Sequence, residues 1–122
     1  MPTRPERRAI VREYKESYRP MGVYRLTNRV NGKMFVAASP NLPAIFNRLR
    51  MELRANGHLK HPQLQADWNE HGEEAFDFEV LEELAAPEAP GVDVSGDLAA
   101  LESLWLEELE PWGERGYNRA PR

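Results

Sequence analysis

The sequence predicts an α+β fold, with a small antiparallel or mixed sheet built on a β-hairpin and flanked by helices. Three observations predict it. Two runs rich in β-branched and aromatic residues flank an Asn31-Gly32 pair within residues 22–38. Residues 75–82, Ala75-Phe76-Asp77-Phe78-Glu79-Val80-Leu81-Glu82, alternate apolar and acidic side chains, the period of a half-buried strand. Elsewhere apolar residues recur three and four apart, the period of helices with one buried face. The order is helix, hairpin, two helices, strand, helix, with no internal repeat, which is an α+β arrangement around one sheet.

The first helix is read over residues 5–18. Pro5 suits a first turn, where its missing N–H costs nothing, and Ile10, Val11, Tyr14 and Tyr18 recur at helical spacing. Pro20 ends it, since proline disfavours helix at the residue before it. Its outer face carries Arg7, Arg8, Arg12 and Lys15. Residues 1–20 therefore form a basic helical extension, and residues 21–122 the main domain. The hairpin arms are 22–27 and 33–38, and Asn31-Gly32 supplies the positive φ values of a tight turn.

The next helix covers residues 41–56, with Ser39 or Asn41 as cap, Gly57 past its end, and Ile45, Phe46, Leu49 and Leu53 as its apolar stripe. Residues 62–71 make a shorter helix between Pro62 and Gly72, with Leu64 and Trp68 facing the core. After the strand, residues 85–96 form an Ala-, Pro- and Gly-rich loop. The last helix covers residues 97–110. Ser95 or Asp97 caps it, Leu98, Leu101, Trp105 and Leu109 face inward, and Pro111 closes it. Trp68, Trp105 and Trp112 read as core or half-buried packing residues.

At 122 residues the chain has the length of one domain. It has no cysteine, which excludes disulfides, thiolate metal sites and cysteine nucleophiles. No apolar run approaches the ~18 residues of a membrane span, and the start Met-Pro-Thr-Arg-Pro has no signal-peptide core. A cytoplasmic protein with no membrane partner is the expectation. The net charge of −4 hides a split: residues 1–60 carry +9 and residues 61–122 carry −13. A basic surface on an acidic protein is thus available to a phosphate-bearing partner.

Three features then fall into register. One strand carries Gly22-Val23-Tyr24, and its partner carries Phe35-Val36-Ala37. A late helix carries Glu102 three residues before Trp105-Leu106, and the chain then reaches Gly116-Tyr117-Asn118. With Leu64-Gln65, Asp67-Trp68-Asn69, His71-Gly72 and Phe76-Asp77-Phe78, this set resembles the GIY-YIG nuclease superfamily over about residues 22–118. The resemblance implies a nuclease-type domain that uses two strand tyrosines, a helix arginine, often a His or Tyr one turn on, a metal-binding glutamate and an asparagine. Phosphodiester hydrolysis needs an activated water, cationic stabilisation of developing charge and usually a divalent metal.

Carried over by position, Tyr24 matches the first tyrosine, Glu102 the metal ligand and Asn118, approximately, the asparagine. Without the resemblance, Glu102 reads first as part of a solvated acidic helix face, and Asn118 as a residue that shapes the tail turn. Phe35 stands for the second tyrosine and lacks its hydroxyl; Ala37 stands for a glycine. Ile45 stands for the arginine, and Leu49 for the His or Tyr. Arg48 or Arg50 on the same helix could lean in as a substitute cation. His58 and His61 could supply a base, but with no evident carboxylate partner their spacing does not make a metal site.

The expected phosphate-contacting set is Arg25, Lys33, Arg48, Arg50 and Arg54. The sequence therefore reads as a catalytically degenerate nuclease-family domain that keeps a nucleic-acid cleft, for DNA more than RNA. The alternatives are a working endonuclease using Mg²⁺ or Mn²⁺ at Glu102, and a protein-interaction module whose acidic residues 73–110 bind a basic partner. The exposed edge of the hairpin offers a route to a homodimer.

Overall fold

In the computed structural model, residues 19–89 and 91–121 are described. The helix expected over residues 5–18, the body of the basic extension, lies outside them. Three strands, β1 (Met21–Asn28), β2 (Met34–Ser39) and β3 (Phe76–Leu84), form one antiparallel sheet in the order β2-β1-β3. The helices are α1 (Leu42–Arg54), α2 (Pro62–His71) and α3 (Ser95–Leu109). Short 3-10 turns occupy Glu73–Ala75 and Gly113–Arg115. Among the described residues no helix is long and apolar enough to cross a membrane.

The pleat sorts the sheet into two faces. Tyr24, Leu26, Phe35 and Phe76 share one core with Leu42, Leu49 and Leu53 of α1 and Leu64 and Trp68 of α2. Val23 and Val36, of opposite parity, are buried on the other face, which α3 crosses. On that face Trp105 Nε1 donates to Glu82 Oε1 at 2.9 Å.

β3 meets β1 with an irregularity between Val23 and Tyr24, which skips Leu81. There β3 approaches so closely that a Cβ on Gly22 would sit 2.0 Å from the Glu82 carbonyl oxygen. The glycine of the Gly22-Val23-Tyr24 motif is thus required by strand packing.

Two local expectations are corrected. Only Gly32 of the Asn31-Gly32 pair has positive φ, so the hairpin does not close on a two-residue turn. It uses a wider loop, in which Gly32 N donates to Asn28 O and Lys33 N to Asn31 Oδ1. Asn41 caps α1 through Ala44 N, as expected, but α3 is not capped by Ser95 or Asp97. Asp93 Oδ1 accepts from Ser95 N and orders the approach to that helix instead.

The hairpin edge is not open. Tyr117 N donates to Met34 O at 2.8 Å, and Met34 pairs with Gly116 in a parallel bridge. Asn118 Oδ1 accepts from Val36 N at 2.9 Å while its Nδ2 donates to Val36 O at 2.7 Å. Glu102 Oε2 accepts from Ala38 N at 2.8 Å. The C-terminal segment and α3 thus cover the β2 groups through which a hairpin-edge dimer would form.

Candidate functional site

A cleft of about 410 Å³ opens where α1 and the 57–61 connection overhang the α1 side of the sheet. Tyr24 and Phe35 form its floor, and Ile45, Arg48 and Glu52 project from α1. His58, Lys60 and His61 close its other side. The connection is held in place by Gln65, whose Oε1 accepts from His58 N and whose Nε2 donates to Leu53 O. Those bonds tie the start of the connection to α2 and to the last turn of α1.

Tyr24 is 3% exposed and its ring packs edge-on against Phe35 and Phe46. Its hydroxyl lines the cleft without a hydrogen-bond partner among the described residues. Burial raises its pKa well above the usual tyrosine value, and the negative charges of Glu102 and Glu52 push the same way. The group is therefore a neutral phenol, ready to donate a hydrogen bond and poorly suited to act as a base.

Beside it runs a chain of polar contacts. Arg48 Nε donates to Glu52 Oε1 at 2.9 Å, and Glu52 Oε2 lies 3.1 Å from His58 Nδ1. His58 Nε2 lies 3.0 Å from His61 Nδ1. The hydrogen bond from His58 holds the Glu52 carboxyl below its ordinary range, with Arg48 adding to the effect against the cost of burial. Burial, followed by the charges of His58, Arg119 and Lys60, lowers the pKa of His61. With Glu52 ionised and both rings neutral, His58 Nδ1–H points to the carboxylate, and His61 Nδ1–H to His58 Nε2. His61 Nε2 is left with a free lone pair. The carboxylate partner not evident in the sequence is Glu52, six positions before His58. Glu52 is on the last turn of α1 and His58 in the connection beyond it, so no single element's period relates them and only the bend after α1 brings the two together.

Glu102 sits outside this cleft, in a neighbouring depression with Ala38, Pro40 and Leu98. One of its oxygens is taken by Ala38 N, and Oε1 has no partner among the described residues. A single free carboxylate oxygen at an open surface can serve as one ligand of a divalent cation that keeps most of its waters. Asn118 is committed to the β2 backbone through both ends of its amide. A second possible group for a metal, Asp67, Glu70 and His71, lies on α2. There Asp67 Oδ2 already accepts from Tyr117 and Asn31, and Oδ1 from Gln63.

The five expected phosphate contacts are not gathered in one place. Arg48 lines the cleft. Arg25 pairs with Glu79 on the α3 face of the sheet, and Arg50 stacks 4.2 Å from the Phe78 ring centroid. Arg54 makes a forked pair with Glu73, and Lys33 bears electrostatically on Asp67. Lys60 joins Arg48 at the cleft instead, a residue that no pattern in the sequence singled out.

No protein-family model and no curated protein matches the chain. Solved structures do. The catalytic domain of the homing endonuclease I-TevI matches with a TM-score of 0.67, over 83% of this chain and 99% of that domain, at 26% identity. A glutamate-to-alanine mutant of the same domain gives 0.66, over 84% and 97%, at 23% identity. An antiparallel sheet lies between two helices on one face and one on the other, with a tyrosine-floored cleft on the two-helix side. The fold is that of the catalytic domain of I-TevI, a GIY-YIG nuclease.

Proposed function

We propose that this domain binds nucleic acid, DNA in preference to RNA, with the phosphodiester backbone lying in the Tyr24 cleft, and that it has lost hydrolysis by the superfamily's arrangement. One observation carries the reading. The cleft is open and lined by a phenol, two histidines, Arg48 and Lys60, yet the position expected to stabilise the transferring phosphoryl group holds Ile45. A neutral aliphatic side chain cannot offset charge developing on phosphorus. Phe35 removes a second polar contact. The preference for DNA rests on the likeness to the catalytic domain of a homing endonuclease.

The test is fluorescence anisotropy with labelled duplex, branched and single-stranded DNA and with RNA, across a salt series. Binding to DNA that weakens steeply as salt rises supports the reading. No binding to any of them at low salt overturns it. A second reading, a metal-dependent endonuclease, is favoured by one specific observation. Glu102 keeps a free oxygen and its charge bears on the unpartnered Tyr24 hydroxyl. In that case a divalent ion at Glu102 would supply Lewis-acid stabilisation, and Arg48 would stand in for the missing guanidinium.

A further inference from the structure

We infer that the His58–His61 pair is a proton-gated phosphodiester site, which gains its positive charge when the ligand enters and so supplies the cation that Ile45 does not. The inference rests on the nucleic-acid reading above and adds the residues and the proton that carry it.

The geometry has three parts. His61 lies against Phe35, with ring centroids 4.5 Å apart, so an imidazole covers the ring whose hydroxyl is missing. Its Nδ1 is engaged by His58, which leaves Nε2 as the nitrogen available to a ligand. Tyr24, 97% buried with no internal partner for its hydroxyl, lines the same cleft and can donate to the same phosphate. A polar tip held in a buried residue without a partner is costly unless an occupant or water meets it.

The charged groups around the pair come from three segments. Glu52 of α1 faces His58 and is itself paired with Arg48. Lys60 neighbours His61 in the connection, and Arg119 bears on it from the C-terminal segment. In the free cleft these cations and burial keep His61 neutral near pH 7. A phosphate oxygen at Nε2 reverses the balance: a proton from solvent binds Nε2, and the new N–H donates to the ligand. Apart from that N–H bond, whose proton solvent supplies, no covalent bond forms or breaks. The Glu52 carboxylate, acting through His58, shares the charge. Reciprocal linkage then requires that lower pH favour binding, as binding favours protonation.

The test uses the whole chain. Affinity for a duplex oligonucleotide is measured from pH 6 to 8.5 at fixed ionic strength, for wild type and His61→Gln. Wild-type affinity is expected to fall by up to roughly tenfold per pH unit within the window between the free and bound pKa values of His61. His61→Gln is expected to lose that slope and to match wild type at the alkaline end. Equal slopes in the two proteins overturn the inference while leaving the nucleic-acid reading intact.

An NMR titration of the imidazole nitrogens with dimethyl phosphate, a diester whose single charge is constant over this range, separates the two claims. Movement of His61 toward the imidazolium signature supports the site even if no oligonucleotide binds, in which case the nucleic-acid reading falls alone. No movement at saturating diester overturns the site.

Discussion

Two polar clusters of similar composition lie in this small domain, and they differ in whether their hydrogen-bonding capacity is used up. The first joins the hairpin, α2 and the C-terminal segment. Asn28 Nδ2 donates to Tyr117 Oη, which donates to Asp67 Oδ2 at 2.7 Å. Burial is the main cause that pushes the Tyr117 phenol up to about 12, and the Asp67 charge adds to it. Burial also opposes the charge on Asp67, but hydrogen bonds from Tyr117, Gln63 and Asn31 overcome it and hold that carboxyl below its ordinary range. Asn28 is fully buried, and its Oδ1 accepts from Val30 N.

The second cluster, Glu52, His58, His61 and Tyr24, starts with the same kind of carboxylate and ends differently. Tyr24 and His61 each keep one polar atom facing the cleft. A closed network locks segments together; an open one presents its last valence to a ligand. The contrast separates a tyrosine whose hydroxyl is used within the fold, Tyr117, from one whose hydroxyl is left to the cleft, Tyr24, although both belong to motif tripeptides.

The comparison can be broken most severely at the anchor of the closed network. A Cβ on Gly116 would lie 2.3 Å from the Pro111 carbonyl oxygen and 2.4 Å from that of Met34. Gly116→Ala should therefore pull the C-terminal segment off β2 and cost about 3 kcal/mol in urea unfolding. Asp67→Ala is next. It leaves the Tyr117 O–H without its acceptor in a buried site, and Asn31 Nδ2 and Gln63 Nε2 without theirs, at about 2 kcal/mol, with DNA affinity of the folded fraction unchanged. The pH sign follows from the depressed folded-state value of Asp67. Its contribution is present above the ordinary carboxylate range and is lost as pH falls below it, so the stability gap between wild type and Asp67→Ala should close in acid.

The third prediction crosses the two clusters. Tyr24→Phe should change stability by less than about 0.5 kcal/mol, because no internal hydrogen bond is lost, and should weaken DNA binding by roughly tenfold. Tyr117→Phe should do the reverse, lowering stability with affinity unaltered. The smallest effect concerns the basic residues. Arg48→Ala should lower DNA affinity and reduce its salt slope. Arg25→Ala, whose partner Glu79 lies on the α3 face, should leave both nearly unchanged in the same anisotropy assay.

Much of this was legible in the sequence, for physical reasons. The period of residues 75–82 fixed a strand with Phe76 and Phe78 on one face, and the spacing of Leu64 and Trp68 fixed the buried side of α2. Tyr24, Phe35 and Ile45, matched by position in the sequence, do meet at one cleft, whereas Glu102, matched in the same way, lies in a neighbouring depression. What was not legible depended on contacts between segments distant in sequence or unrelated by any period. Nothing in Glu52 and His58 announces that a bend after α1 joins them. Arg50 reads as a cleft cation until Phe78 offers it a ring, and Asn118 as a site residue until β2 takes both ends of its amide.

In the proposed function the cleft binds DNA without cutting it. The direct measurement is a cleavage assay in Mg²⁺ and in Mn²⁺, under conditions where anisotropy shows the DNA bound, with Glu102→Ala alongside. Intact DNA in every lane and equal binding by both proteins are expected. Metal-dependent cleavage by the wild type that disappears in Glu102→Ala would contradict that reading, and would establish that Arg48, Tyr24 and the histidine pair suffice where Ile45 replaces an arginine.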